Sequence, residues 1–143
     1  MWHVLFLCSG NACRSQMAEA WARALASGSI FAESAGTDPQ PLDPRAVTVM
    51  AEAGIDISRQ RSKHVGELAD RPFDAVITLC DAAQEQCPVF PGARRMLHAG
   101  FDDPPRLATG ARSEEEALAP YRRVRDEIRT FIERLPETLA TES

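Results

Sequence analysis

The sequence has no long apolar run, no block of one charge and few of the groups that usually hold a metal. None of its 143 residues belongs to an apolar stretch long enough to cross a bilayer, so no membrane association is expected. No basic run, and no interleaving of basic and aromatic residues, offsets a net charge of −5, which argues against nucleic acid as a partner. The first residues lack a basic region followed by a long apolar core. That predicts no secretory signal and a cytoplasmic location, where thiols are kept reduced. The histidines, His3, His64 and His98, show no ligand spacing, and the four cysteines contain no C-x2-C pair. Zinc is therefore not expected, and no metal or other cofactor is assigned. The absence of G-x4-G-K-[ST] removes a nucleotide loop of the Walker type.

What is present is ordinary for a globular protein: 44% hydrophobic and 26% charged residues, with no repeat and no linker. The chain reads as a single domain over residues 1–143. Residues 3–7 form a short apolar run that suits a strand buried on both faces. From Ser15 the period becomes helical, with Met17, Ala18, Trp21, Ala22 and Leu25 on one face and Gly28 as a stop. Ile30 to Ser34 is a weaker strand. Asp43 caps a helix with Pro44 in its first turn, ending near Gly54. Residues 55–72 are polar, basic and hard to decipher, with one short helix near Val65–Ala69. Phe73 to Leu79 repeats the buried-strand pattern, residues 81–92 read as a mobile loop, and Arg95–Ala99 as an edge strand. Residues 101–110 are turn-rich. Ser113 and Glu116 have capping-box spacing ahead of a terminal helix whose apolar face runs from Leu118 to Leu135. Pro120 falls early enough to displace its start. This alternation predicts an α/β fold, an open four-stranded parallel sheet with helices on both faces.

The segment Cys8-Ser9-Gly10-Asn11-Ala12-Cys13-Arg14-Ser15 carries the chemistry. A strand delivers the cysteine and a helix begins at the arginine. The free N–H groups and positive end of that helix point back at the turn. Gly10 is expected to let the backbone curl into an anion nest. The same field favours a thiolate and predicts a Cys8 pKa lowered toward or below neutrality. Arg14 can grip two oxygens of a tetrahedral anion, and Ser15 can donate to the sulfur. The product is an activated nucleophile inside an oxyanion cradle.

Cys80 also follows a strand directly. If both strands are parallel neighbours, Cys8 and Cys80 emerge at one edge of the sheet, where ligands bind in such folds. Cys80 and Cys87 have a C-x6-C spacing. If the segment between them is helical, they stand about 10 Å apart along its axis. A disulfide needs Cα atoms within about 7 Å, so closing the pair requires unwinding. Cys13 reads as a loop or packing residue rather than a redox participant. Asp102 and Asp103 lie in a turn pinned by Pro104 and Pro105, where a carboxyl could protonate a leaving oxygen.

Together these residues resemble the thioredoxin-coupled arsenate reductases, which share the fold of low-molecular-weight tyrosine phosphatases. The likeness runs from the loop Leu7–Glu19 through Glu33-Ser34-Ala35-Gly36, the Val76–Cys80 segment with Cys87-Pro88, the acid turn Gly100–Pro104 and the terminal helix around Arg123–Ile128. It implies arsenate as substrate, bound by Ser9, Gly10, Asn11, Ala12, Cys13 and Arg14, with phosphate or sulfate able to occupy the same place. It implies Cys8 as nucleophile, Ser15 and Arg14 as supports, Asp103 as acid, and Cys80 and Cys87 as resolving thiols. It implies thioredoxin as partner, and a monomer is expected. Some relatives bind potassium beside the loop with groups resembling Asn11, Glu19, Ser34 and a further carboxylate. Here Lys63 takes that last place, so an ammonium is expected to pair with Glu19 and replace the ion.

Two other functions compete. A tyrosine phosphatase would use Cys8, Arg14 and Asp103 alone, but Pro105 stands where such enzymes carry a tyrosine, and the only tyrosine is Tyr121 in the terminal helix. A redox-sensing or anion-binding module would need no complete set of nucleophile, arginine and acid.

Overall fold

The computed structural model describes residues 1–80 and 93–141. Four strands, β1 (Trp2–Cys8), β2 (Ile30–Gly36), β3 (Ala75–Thr78) and β4 (Arg95–His98), form one sheet in the order β2-β1-β3-β4. All three pairings are parallel. Val4 to Cys8 and the whole of β3 are buried, which is why both read as unbroken apolar runs rather than alternating ones. β4 lies at the edge, and its residues alternate between half-buried and exposed. The 81–92 loop, with Cys87, lies outside the described residues.

Among the described residues, four helices complete the fold: α1 (Arg14–Leu25), α2 (Pro44–Glu52), the short α3 (Pro104–Leu107) and α4 (Glu114–Thr141). Asp43 caps α2, its carboxylate accepting the Arg45 N–H at 2.9 Å. Gly54, with a φ of 85°, supplies the left-handed residue just beyond the end of that helix. Val124, Ile128, Ile132 and Leu135 of α4 are fully buried, each contributing about 1.5–3 kcal/mol. The Trp21 indole N–H donates to the Arg125 carbonyl at 3.1 Å and ties α1 to α4.

Three local expectations change. Pro120 does not displace the start of α4, which begins at Glu114. The Ser113 hydroxyl accepts the Glu116 N–H at 3.1 Å, while the Glu116 carboxylate turns to the Arg112 N–H. The Asp103-Pro104-Pro105 turn opens into a helix because proline at the first position loses only a hydrogen bond that would be unmade anyway. The short helix expected near Val65–Ala69 is present as a 3-10 turn, Val65–Leu68, capped by the His64 ring. Just before it, His64 bridges in parallel to Gly36, so residues 61–64 run as a strap beside the end of β2.

Candidate active site

β1 ends at Cys8 and α1 begins at Arg14, so the chain must reverse within the few residues between. The carbonyls of this turn face outward. Cys8 O accepts from Thr37 N–H at 3.3 Å, Ser9 O from Asp38 at 2.8 Å, Gly10 O from Gln40 at 2.8 Å and Ala12 O from Asp43 at 2.9 Å. Asn11 O accepts from Gln16 Nε2 and from the Ser62 hydroxyl, both at 2.8 Å. In a trans peptide the N–H points opposite to the C=O, so anchoring the carbonyls outward aims the following N–H groups inward. None of the N–H groups of residues 9–13 is taken by a carbonyl among the described residues. With the open first turn of α1 they form a concave array of donors, the shape an oxyanion needs.

The residue that makes this curl possible is Asn11, not Gly10. Asn11 has a φ of 49° and is fully buried. Asparagine tolerates that conformation because its side chain can bond locally. Here its amide donates to the Ser15 hydroxyl at 2.8 Å and the Ser34 hydroxyl at 3.0 Å, and its oxygen accepts the Lys63 N–H at 2.9 Å. One buried side chain thus joins the turn, α1, β2 and the strap. Beneath the turn, Gly36 leaves the space that Ser9 O and Asn11 N occupy, 2.6 and 2.9 Å from where a Cβ would sit.

The two strands bring their thiols together as expected. Leu7 is paired with Thr78 in the sheet, so Cys8 and Cys80 leave the same carboxyl edge. Both are buried, and Cys80 is near enough to perturb the Cys8 thiol. The Ser9 hydroxyl lies 3.3 Å from the Cys80 sulfur. The expected lowering of the Cys8 pKa is not found. The hydrogen bond with Cys80 and then burial push the Cys8 thiol up, against Arg14 and the Ser15 N–H, which both favour the thiolate. Two touching thiolates in a water-poor site repel, so the pair retains a proton between them. The depressing groups are those the sequence suggested, and the neighbouring thiol and burial outweigh them. Cys13 is buried and also raised, first by desolvation and then by the Asp43 carboxylate.

Arg14 and Asp103 close the site from above. Arg14 Nη1 donates to Phe101 O at 2.8 Å, and Nη2 lies 3.7 Å from the Asp103 carboxylate. Arg14 is 11% exposed and Asp103 42%, so the acid meets water while the guanidinium is largely shielded from it. The pair divides one groove into two cavities. One, of about 470 Å³, is reached by Cys8, Gly10, Ala12 and Cys13; the other, of about 460 Å³, by Cys80 and Phe101. Asp102 differs from its neighbour: its carboxylate pairs with Arg123 of α4 at 2.9 Å. The Phe101 ring meets Phe131 edge-on at 5.8 Å, so α4 holds the acid turn at two points.

Behind the turn, the Ser34 hydroxyl donates to Glu19 at 2.8 Å, and Glu19 pairs with Arg23 at 3.0 Å and with Lys63 at 3.9 Å. The expected meeting of Lys63 and Glu19 is present. A cation is a poor fit there, because two basic side chains already face the one carboxylate. Burial, followed by Arg61 and Arg23 against Glu19, lowers the Lys63 pKa.

Cys8, Ser9, Gly10, Asn11, Ala12, Cys13, Arg14, Ser15, Cys80 and Asp103 therefore converge on one end of the sheet, and Cys87 lies outside the described residues. The Ser15 hydroxyl is turned to Asn11, and it is the Ser15 N–H that reaches Cys8. Sequence reasoning missed the supports: Gly36, Gln16, Gln60, Ser62, and the Tyr121 hydroxyl that donates to Asp43 at 2.6 Å. No spacing marks them, because each acts across the fold.

Comparison with known proteins agrees with this geometry. Residues 3–143 match the family described as low molecular weight phosphotyrosine protein phosphatase. An arsenate reductase from Bacillus licheniformis is 46% identical over 135 residues, covering 94% of this chain and 95% of that protein. A solved arsenate reductase in the phosphate binding state is 32% identical with a TM-score of 0.80, covering 97% of this chain and 99% of that one. A thioredoxin-dependent arsenate reductase from Corynebacterium glutamicum is 26% identical with a TM-score of 0.72, and all of this chain corresponds to 63% of that one. A turn of inward-facing N–H groups between a strand and a helix, a second thiol at the same sheet edge and this breadth of likeness place the chain in the low molecular weight phosphotyrosine protein phosphatase family and, within it, among the arsenate reductases.

Proposed function

We propose that this protein reduces arsenate to arsenite by a relay of three cysteines, with electrons from thioredoxin, and serves arsenic detoxification as a cytoplasmic monomer. The observation that carries the reading is the meeting of Cys8 and Cys80 at one sheet edge, beside cavities that Arg14 and Asp103 both line. A phosphatase needs only water behind its nucleophile; a second buried thiol is superfluous there and required here.

Arsenate enters the ring of N–H groups from Ser9 to Arg14, and the guanidinium of Arg14 turns to two of its oxygens. Asp103, on the open side of the groove, supplies the proton for the departing oxygen. The Cys8 thiolate, supported by the Ser15 N–H, bonds to arsenic as water leaves. Cys80, beside the Ser9 hydroxyl, then attacks the Cys8 sulfur. A Cys8–Cys80 disulfide forms, the sulfur–arsenic bond breaks with its electron pair on arsenic, and arsenite departs. Cys87 attacks Cys80 and frees Cys8, leaving a Cys80–Cys87 disulfide that a thioredoxin dithiol reduces. The Lys63–Glu19 pair supports turnover without potassium.

The test supplies arsenate, thioredoxin, thioredoxin reductase and NADPH, and follows NADPH oxidation. Cys80→Ser and Cys87→Ser are expected to abolish repeated turnover, while Cys87→Ser still releases arsenite in a single turnover. Repeated turnover in both variants would overturn the relay. Aryl phosphate hydrolysis without any arsenate-dependent turnover would make the protein a phosphatase.

A further inference from the structure

On the far side of α1 from the sheet edge lies a cavity of about 570 Å³ that the reaction does not use. Arg23, Arg59, Arg61 and Lys63 line it against only two carboxylates, Glu19 and Asp56.

Those carboxylates are already engaged. Glu19 takes the Ser34 hydroxyl as well as Arg23 and Lys63, and the Asp56 carboxylate accepts the Ser58 N–H at 2.8 Å. Arg61 pairs with Glu67 at 3.1 Å, and Arg59 has no ion pair among the described residues. The Lys63 side chain is 15% exposed, with its nearest carboxylate at 3.9 Å. A hollow with unspent positive charge and low-dielectric walls concentrates anions, and arginines in pairs grip oxyanions by two oxygens at once. Ile55 and the α1 side chains Ala20 and Ala24 supply an apolar wall beside the charges.

We propose that this cleft is a second oxyanion site, separate from the catalytic turn, which binds the doubly charged phosphoryl group of inorganic phosphate or of a small phosphomonoester. The site stands on its own residues and does not require the thiol relay. The strap that carries Arg61 and Lys63 is the one that holds Asn11, through the Ser62 hydroxyl and the Lys63 N–H, so the two sites share a wall.

Phosphate binding measured by calorimetry at constant ionic strength tests this, with ribose 5-phosphate as the second probe. The wild-type chain is expected to bind two phosphates. Arg59→Glu reverses a charge at an exposed position remote from the thiols; it should weaken the second site at least about tenfold and leave arsenate turnover unchanged. Arg14→Ala should lose the other site and keep this one. Chemical shifts read the same question by position: phosphate should move the amides of residues 59–63 as well as 9–13. Tighter binding of ribose 5-phosphate than of phosphate to Arg14→Ala identifies a phosphomonoester as the occupant, and the reverse identifies phosphate. One phosphate per wild-type chain, or a second that Arg59→Glu does not weaken, would overturn the proposal.

Discussion

Replacing Gly36 by alanine adds a single methyl group, and the structure says where it goes. The new Cβ would stand 2.6 Å from Ser9 O, 2.9 Å from Asn11 N and 3.0 Å from Asn11 Cβ. Two of these are main-chain atoms of the anion turn, so no side chain can swing aside. Either β2 slips from β1, where Gly36 is paired with Cys8, or the turn rises. Overpacking of this kind costs about 1–3 kcal/mol, and unyielding backbone places it in the upper part of that range. At about 2–3 kcal/mol the melting temperature of a chain this size falls by roughly 6–12 °C. A displacement on the order of 1 Å in the donor array should also lower arsenate turnover by about a hundredfold. Gly28→Ala is the matched control, because its Cβ meets nothing within 4 Å. Thermal melts under reducing conditions and steady-state turnover, run on both variants, measure the two effects. If Gly36→Ala melts with the wild type and turns over at its rate, the turn does not rest on β2 as described.

The two neighbouring aspartates should separate cleanly in steady-state kinetics. Asp103→Asn is expected to lower turnover by about 10²–10⁴, whereas Asp102→Asn, which breaks only an exposed pair with Arg123, should stay within about threefold. Equal losses would refute the assignment of the acid. Stability should fall as pH rises above 9.0, the ordinary thiol value from which Cys13 is raised. The unfolded thiol gives up its proton there while the buried native one keeps it, so the native state loses ground at up to about 1.4 kcal/mol per pH unit for that group. Urea unfolding between pH 7 and pH 10, in reductant, should show this slope, and Cys13→Ala should make it shallower. An unchanged slope would mean that the thiol is not held protonated.

The sheet and the catalytic turn were legible because their signals are local. An apolar run ending in Cys8, a helical period starting beside Arg14 and a second run ending in Cys80 fix two strands, a helix and the edge they share. Asp43 before Pro44 announced its helix for the same reason. What stayed hidden depends on distance. Gly10 is the residue the sequence offers for the curl, yet Asn11 takes the left-handed conformation by bonding to Ser15 and to Ser34 and Lys63, the last two brought near only by the fold. Residues 61–64 look like featureless polar chain because their work is done by main-chain groups and one hydroxyl. The direction of the Cys8 shift is hidden for a related reason: the sequence displays Arg14 and the helix end, but not the depth of burial or how closely the second sulfur at that edge approaches.

The outward-anchored turn also governs when this chain becomes reactive. Cys8 lies on the first strand made, but its carbonyl restraints come from residues 37–43, its Asn11 anchors from Ser34 and Lys63, and its partner thiol from beyond β3. Contacts so far apart in sequence form only after their loop-closure entropy has been met. Until then Cys8 is an ordinary thiol on an open chain, without donors for an anion and without a second sulfur at hand. Local opening of the strap or of β3 returns it to that state. The ring of inward N–H groups, its Asn11 anchor and the second sulfur are thus completed together by folding, and an incomplete or damaged copy lacks all three at once.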